Sequence, residues 1–128
     1  MSLTNAFETS TLQYLLTTGS VTRPTAWYVG LFTSDPTDTG AAGTEVAGNG
    51  YTRKAATFTV TADTASNSAS IEFPAASGGN WGTVGWIGIM DAASGGNMII
   101  HSALTTAKAI NDGDVFRIPT GDLDITAS

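Results

Sequence analysis

Apolar residues recur at helical spacing only near the front of the chain. Phe7, Thr11, Tyr14 and Leu15 share one side of a helix, and Leu12 and Leu16 widen the apolar stripe. Asn5 followed by Glu8 reads as an N-cap with its capping-box partner, and Gly19 as a C-terminal stop. The pattern predicts a helix over 5–17. After Pro24 the period changes to two. Residues 26–33 (Ala-Trp-Tyr-Val-Gly-Leu-Phe-Thr) are aromatic and β-branched between Pro24 and Ser34-Asp35-Pro36, which predicts a buried strand. Residues 34–50 are rich in Gly, Thr, Asp and Ala and poor in large apolar groups, which predicts a long loop or a pair of turns, free to cross to another subunit.

Ala56, Phe58 and Val60 alternate with Thr57, Thr59 and Thr61, the pattern of a strand with one wet, hydroxyl-rich face. Ala69, Ile71 and Phe73 alternate with Ser70 and Glu72 in the same way, and Pro74 ends that run. Ser77-Gly78-Gly79-Asn80 is a turn. Residues 82–90 form a near-continuous apolar strand whose glycines permit close backbone approach, and 91–96 turn it into a hairpin with 97–104. Asn111-Asp112-Gly113 signals a type I′-like turn before a strand at 114–118, and Thr120-Gly121 another before 123–126. No β-α-β alternation and no internal repeat occur. These elements predict a single mainly β domain over 1–128: an antiparallel β-sandwich or jelly-roll-like barrel with one N-terminal α-helix.

Composition narrows the function. Charged residues are 12% of 128, about half the usual ~25% for a globular chain. With 41% hydrophobic residues and a mean hydropathy of +0.08, the chain is folded rather than disordered. The net charge of −6 repels phosphate backbones and anionic lipid, so neither nucleic acid nor a membrane is expected as a partner. No apolar run is long enough to span a bilayer, and the first residues lack the basic and apolar regions of a secretion signal. Synthesis in a cytoplasm is the expectation. Zero cysteines exclude disulfides, thiolate metal sites and a cysteine nucleophile.

Candidate chemistry is sparse. His101 is the single histidine, and its apolar run suggests a strand residue whose ring reaches one partner. No Gly-x-Ser-x-Gly elbow accompanies it, and one His without Cys cannot hold zinc. Asp112/Asp114 and Asp122/Asp124 have the i, i+2 spacing that would put two carboxylates on one strand face, as calcium or a glycosidic bond would require. Beside Gly113 and Gly121, however, Asp is simply a good turn former. Gly48-Asn49-Gly50 and Gly95-Gly96 lack the lysine and following helix of a phosphate loop. No enzymatic constellation, metal site or cofactor is expected. Arg53-Lys54, beside Tyr51, reads either as an exposed strand start or as an ionic contact to an acidic partner subunit.

Several segments carry a resemblance: Trp27-Tyr28-Val29-Gly30-Leu31-Phe32-Thr33, Gly43-Thr44-Glu45-Val46, Gly50-Tyr51-Thr52-Arg53, Trp81-Gly82-Thr83-Val84, Asp91-Ala92, Gly95-Gly96 and Gly113-Asp114-Val115-Phe116. Together with the opening Leu3-Thr4-Asn5-Ala6-Phe7-Glu8, their order and spacing resemble small virion proteins of tailed bacteriophages. The resemblance implies a structural, non-enzymatic role in the particle, as a head decoration (cement) protein or a tail-fibre-like component. The chain's single domain, acidic charge and lack of a fibrous repeat favour a capsid decoration protein on the head surface, bound to the major capsid protein. A homotrimer is what such proteins imply. The alternative is a tail-fibre or tail-tip component that contacts host glycans through exposed Trp or Tyr. Phe7, Leu12, Glu45, Tyr51, Arg53 and Lys54 are the candidate interface residues, on the N-terminal helix, the 34–50 loop and the strand that follows it.

Overall fold

A computed structural model describes residues 2–127. Its single helix, α1 (Asn5–Leu16), follows a two-residue strand β1 (Ser2–Leu3). The helix starts where expected, but for a different reason. Thr4, not Asn5, is the N-cap, and its hydroxyl donates away from the helix to Met98 O at 2.7 Å. The Thr4 carbonyl accepts from Phe7 and Glu8, and the Asn5 N–H donates to Asp38 O. The capping box is therefore replaced by tertiary bonds that weld the root of the helix to the sheet. At the far end Thr17 closes the last turn onto Gln13 O through both backbone and hydroxyl, and Gly19 plays no left-handed part.

The β elements are β2 (Tyr28–Phe32), β3 (Lys54–Ala55), β4 (Phe58–Thr61), β5 (Thr64–Asn67), β6 (Ile71–Glu72), β7 (Gly82–Met90), β8 (Met98–Ile110), β9 (Arg117–Ile118) and β10 (Asp124–Thr126). Every pairing is antiparallel. A five-stranded sheet runs β1-β8-β7-β2-β3, a three-stranded sheet β10-β5-β4, and β6 pairs with β9. Among the described residues no sheet closes on itself, so the arrangement is sandwich-like and the barrel alternative is set aside.

Period-two patterning sets the large sheet. Val29 and Leu31 of β2 and Ile87 and Ile89 of β7 face the main core, with Phe73, Trp81, Phe116 and Leu123 packed in from the other elements. Phe32, Met90 and Met98 form a smaller cluster with the half-buried Tyr28 and Trp86. At the crossing of β2 and β7, Gly30 faces Gly88. A Cβ on Gly30 would stand 3.0 Å from Glu45 Oε2, and one on Gly88 would strike Met98 Cε at 2.5 Å. These two glycines are the price of two side-chain clusters approaching one backbone crossing.

Three expectations shift. The strand predicted at 97–104 continues to Ile110 because β8 absorbs a bulge between its pairings with Val84 and Trp86. The segment 64–67, which has no large apolar residue, is a strand because the chain reverses tightly at Ala62-Asp63 and zips onto β4. At Asn111–Asp114 the turn closes, but only Gly113 is left-handed, so it lacks the two positive-φ residues of type I′.

Candidate functional site

Two features stand apart from the core: a cluster of polar side chains on the edge of β2, and an apolar helix left in water.

The polar cluster begins with the 34–50 loop, which folds back onto its own sheet. Thr33 N–H donates to Thr44 O and Val46 N–H to Leu31 O, so residues 44–46 line one half of the β2 edge while β3 lines the other. The gap between them is closed by side chains. Tyr51 Oη accepts from Leu31 N–H at 3.0 Å and donates to Glu45 Oε2 at 2.6 Å. Arg53 grips the same carboxylate bidentately, Nε to Oε2 and Nη2 to Oε1, each at 2.8 Å. Its remaining nitrogen donates to Ala92 O and Gly95 O, which holds down the β7–β8 hairpin loop.

Burial and bonding both tune these groups. Burial first, and donation to Glu45 second, push the Tyr51 phenol above the ordinary tyrosine range. The bond to Glu45 holds the Arg53 guanidinium above its usual value against the opposing effect of burial. Tyr51 also stacks on Phe73 and meets Trp81 edge-on, so the network is continuous with the core. The structure thus brings together three of the candidate residues, Glu45, Tyr51 and Arg53. The Arg53 side chain is 8% exposed and its acidic partner lies in the same chain. All its charge is committed internally, not turned outward to a neighbouring subunit. Lys54 lies half-buried on β3 opposite Val29.

The other candidates, Phe7 and Leu12, lie on α1, far from that network in chemistry. No residue of α1 is buried. Phe7 is half-buried against the core, whereas Leu12, Tyr14, Leu15 and Leu16 are 58%, 74%, 65% and 77% exposed. Between the helix and the returning segment Val21–Pro24 lies an open groove of about 550 Å³, lined by Phe7, Tyr14, Leu15, Val21, Arg23 and Pro24. The hydroxyls of Thr9, Ser10 and Thr11 each donate to the carbonyl four residues back, so these three are satisfied within the helix.

The remaining polar residues serve the fold. His101 Nε2 meets Asp38 Oδ1 at 3.0 Å, and the Asp38 carbonyl also receives the first helical N–H, so this pair ties the root of α1 to β8. Asp112 accepts from Gly78 N–H, Asp114 from Asn111 N–H and Asp124 from the Ser66 hydroxyl. Among the described residues, no three His, Asp or Glu side chains converge on a point where a metal could sit. Sequence reasoning passed over Asn67. Its side chain is buried, donates to Ala69 O and Pro119 O, and accepts from Leu123 N–H. Nothing in a Ser- and Thr-rich stretch marks that asparagine out.

The structure is thus an antiparallel β scaffold with a polar network on the edge of β2 and an apolar helix left in water. Its class follows from the comparison with protein families. The family model described as Podophage GP4 fiber I protein gp80 matches residues 2–126, and the chain belongs to this family. It is a structural component of a tailed-phage virion. No curated protein matches it.

Proposed function

We propose that the chain is a fibre component of the virion, carried on the tail side of the particle and built from several copies of itself. The observation that supports this reading is the match to a fibre family over nearly the whole chain, which favours the fibre alternative over the head decoration that the sequence pattern first suggested. The host-glycan part of that alternative finds less support. Among the described residues Tyr14 is the single exposed aromatic, and it sits in an apolar groove instead of on a flat stacking platform.

The structure suits a rigid building block. Fixing the loop 91–96 through Arg53 and the loop 34–50 through Glu45 leaves little to reorganise on assembly, which lowers the entropic cost of association.

Particles made without this chain test the reading. The expected outcome is DNA-filled heads of unchanged heat stability that lack an appendage in negative stain and attach poorly to the host. Heads that leak or burst at lower temperature, with every appendage present, would contradict it and favour decoration of the major capsid protein.

A further inference from the structure

The helix α1 should not persist as it stands in water. At twelve residues it is at the margin for an isolated helix, since helices shorter than ~12–15 residues are marginal without tertiary packing. Its sequence includes Thr9, Ser10 and Thr11, which are poor helix formers in its middle. Only its root is bonded to the sheet, through Thr4, Asn5 and Asp38.

Three observations say what is missing. First, the four exposed side chains of its second half leave roughly 500 Å² of apolar surface in water, divided between the groove side (Tyr14, Leu15) and the opposite side (Leu12, Leu16) of the helix. Second, the helix is partly prepared for removal from water: the hydroxyls of Thr9, Ser10 and Thr11 bond its own carbonyls, so covering those three strands no donor. Third, the site carries almost no net charge in a chain of net −6: Glu8 on the helix is balanced by Arg23 in the groove, and neither has an ion pair among the described residues. A strongly charged partner would find nothing here to steer it. A second copy of this chain meets a neutral surface with one acid and one base to exchange.

The placement of the apolar residues also sets the geometry. Phe7, Tyr14 and Leu15 turn toward the groove, whereas Leu12 and Leu16 form a ridge roughly 150° away around the helix axis, taking 3.6 residues per turn. One contact related by a two-fold axis cannot fill a groove and bury a ridge that face opposite ways. We propose that the ridge of Leu12 and Leu16 on α1 docks into the groove between α1 and segment Val21–Pro24 of the next copy, head to tail, closing a ring of three or more subunits. Each such contact covers the ridge of one copy and the groove of another, on the scale of the ~1,000 Å² at which specific interfaces begin. This inference holds whether the protein sits on the tail or on the head.

Sedimentation velocity on the purified full chain tests it. The wild type is expected to sediment as a closed oligomer of at least three copies. A ridge variant (Leu12→Glu with Leu16→Glu) and a groove variant (Tyr14→Glu) should each associate at least tenfold more weakly. Val60→Glu, at a site 70% exposed on β4, should change nothing. Mixing ridge and groove variants should give one-to-one dimers and nothing larger, because one intact ridge then meets one intact groove. Cooperative melting followed by tryptophan fluorescence confirms that each variant is folded, which is expected since none of these residues is buried. A wild type that stays monomeric or stops at a dimer, or variants that assemble as the wild type does, would overturn the proposal.

Discussion

At the scale of single residues the central fact is the carboxylate of Glu45, which takes one bond from Tyr51 and two from Arg53 on the edge of β2. Such a pair adds modest net energy, because desolvating both charges offsets most of their attraction. Its consequence is geometric. It fixes two loops and lets the Leu31 N–H find an acceptor where no strand reaches it. Tyr51→Phe keeps the ring packing and removes that acceptor, so it should cost about 1–3 kcal/mol in urea unfolding. The phenol also makes stability depend on pH in a defined direction. Its pKa is raised in the folded state, so above the ordinary tyrosine value of about 10 the unfolded chain releases this proton before the folded one does. The stabilisation is complete below that value and is lost as pH rises through the folded pKa. Unfolding free energy should therefore fall above about pH 10, and Tyr51→Phe should flatten that fall. Tyr51 and Arg53 stood out in the sequence as an aromatic beside a basic pair, read as an exposed strand start or a contact to another subunit, and Glu45 only as an acid of the long loop. Their mutual pairing was not legible, because it depends on a loop folding back along β2, and spacing along the chain carries no sign of that.

At the scale of elements, legibility followed hydrophobic patterning. The strand at 82–90 was read to the residue, since its apolar run and flanking turns leave one solution. The hairpin β4–β5 shows the opposite case. Its second strand, Thr-Ala-Ser-Asn, has no apolar alternation and is held by backbone pairing on both sides. The alternation of Ala56, Phe58 and Val60 was real, but it runs out of core: Ala56 is buried and Val60 is exposed. The turn joining these strands places Ala62 at φ 54°, a conformation that suits glycine. Relief of that strain outweighs the added freedom of the unfolded chain, so Ala62→Gly should raise the unfolding free energy by about 0.5–1 kcal/mol with an unchanged denaturant slope. The helix was legible as a helix, yet not as one without a buried side. Its apolar residues satisfy a core-facing pattern as well as an intersubunit one, and only the placement of the sheet decides between them.

At the scale of the whole molecule the chain is an antiparallel, sandwich-like scaffold whose polar groups are largely committed inward and whose apolar helix faces out. That division of labour suits a protein assembled into a larger particle, and it agrees with membership of a phage fibre family. Composition had set an expectation in the same direction, since low charge, no cysteine and one histidine offered few groups for catalysis. Position within the particle was beyond the reach of the residues themselves, because a fibre subunit and a capsid decoration protein both ask for a small, rigid, self-associating β domain. Immunogold electron microscopy of intact virions, with antibody raised against this chain, addresses that directly. Gold confined to appendages on the tail side is the result expected here, and gold spread over the head surface would contradict it.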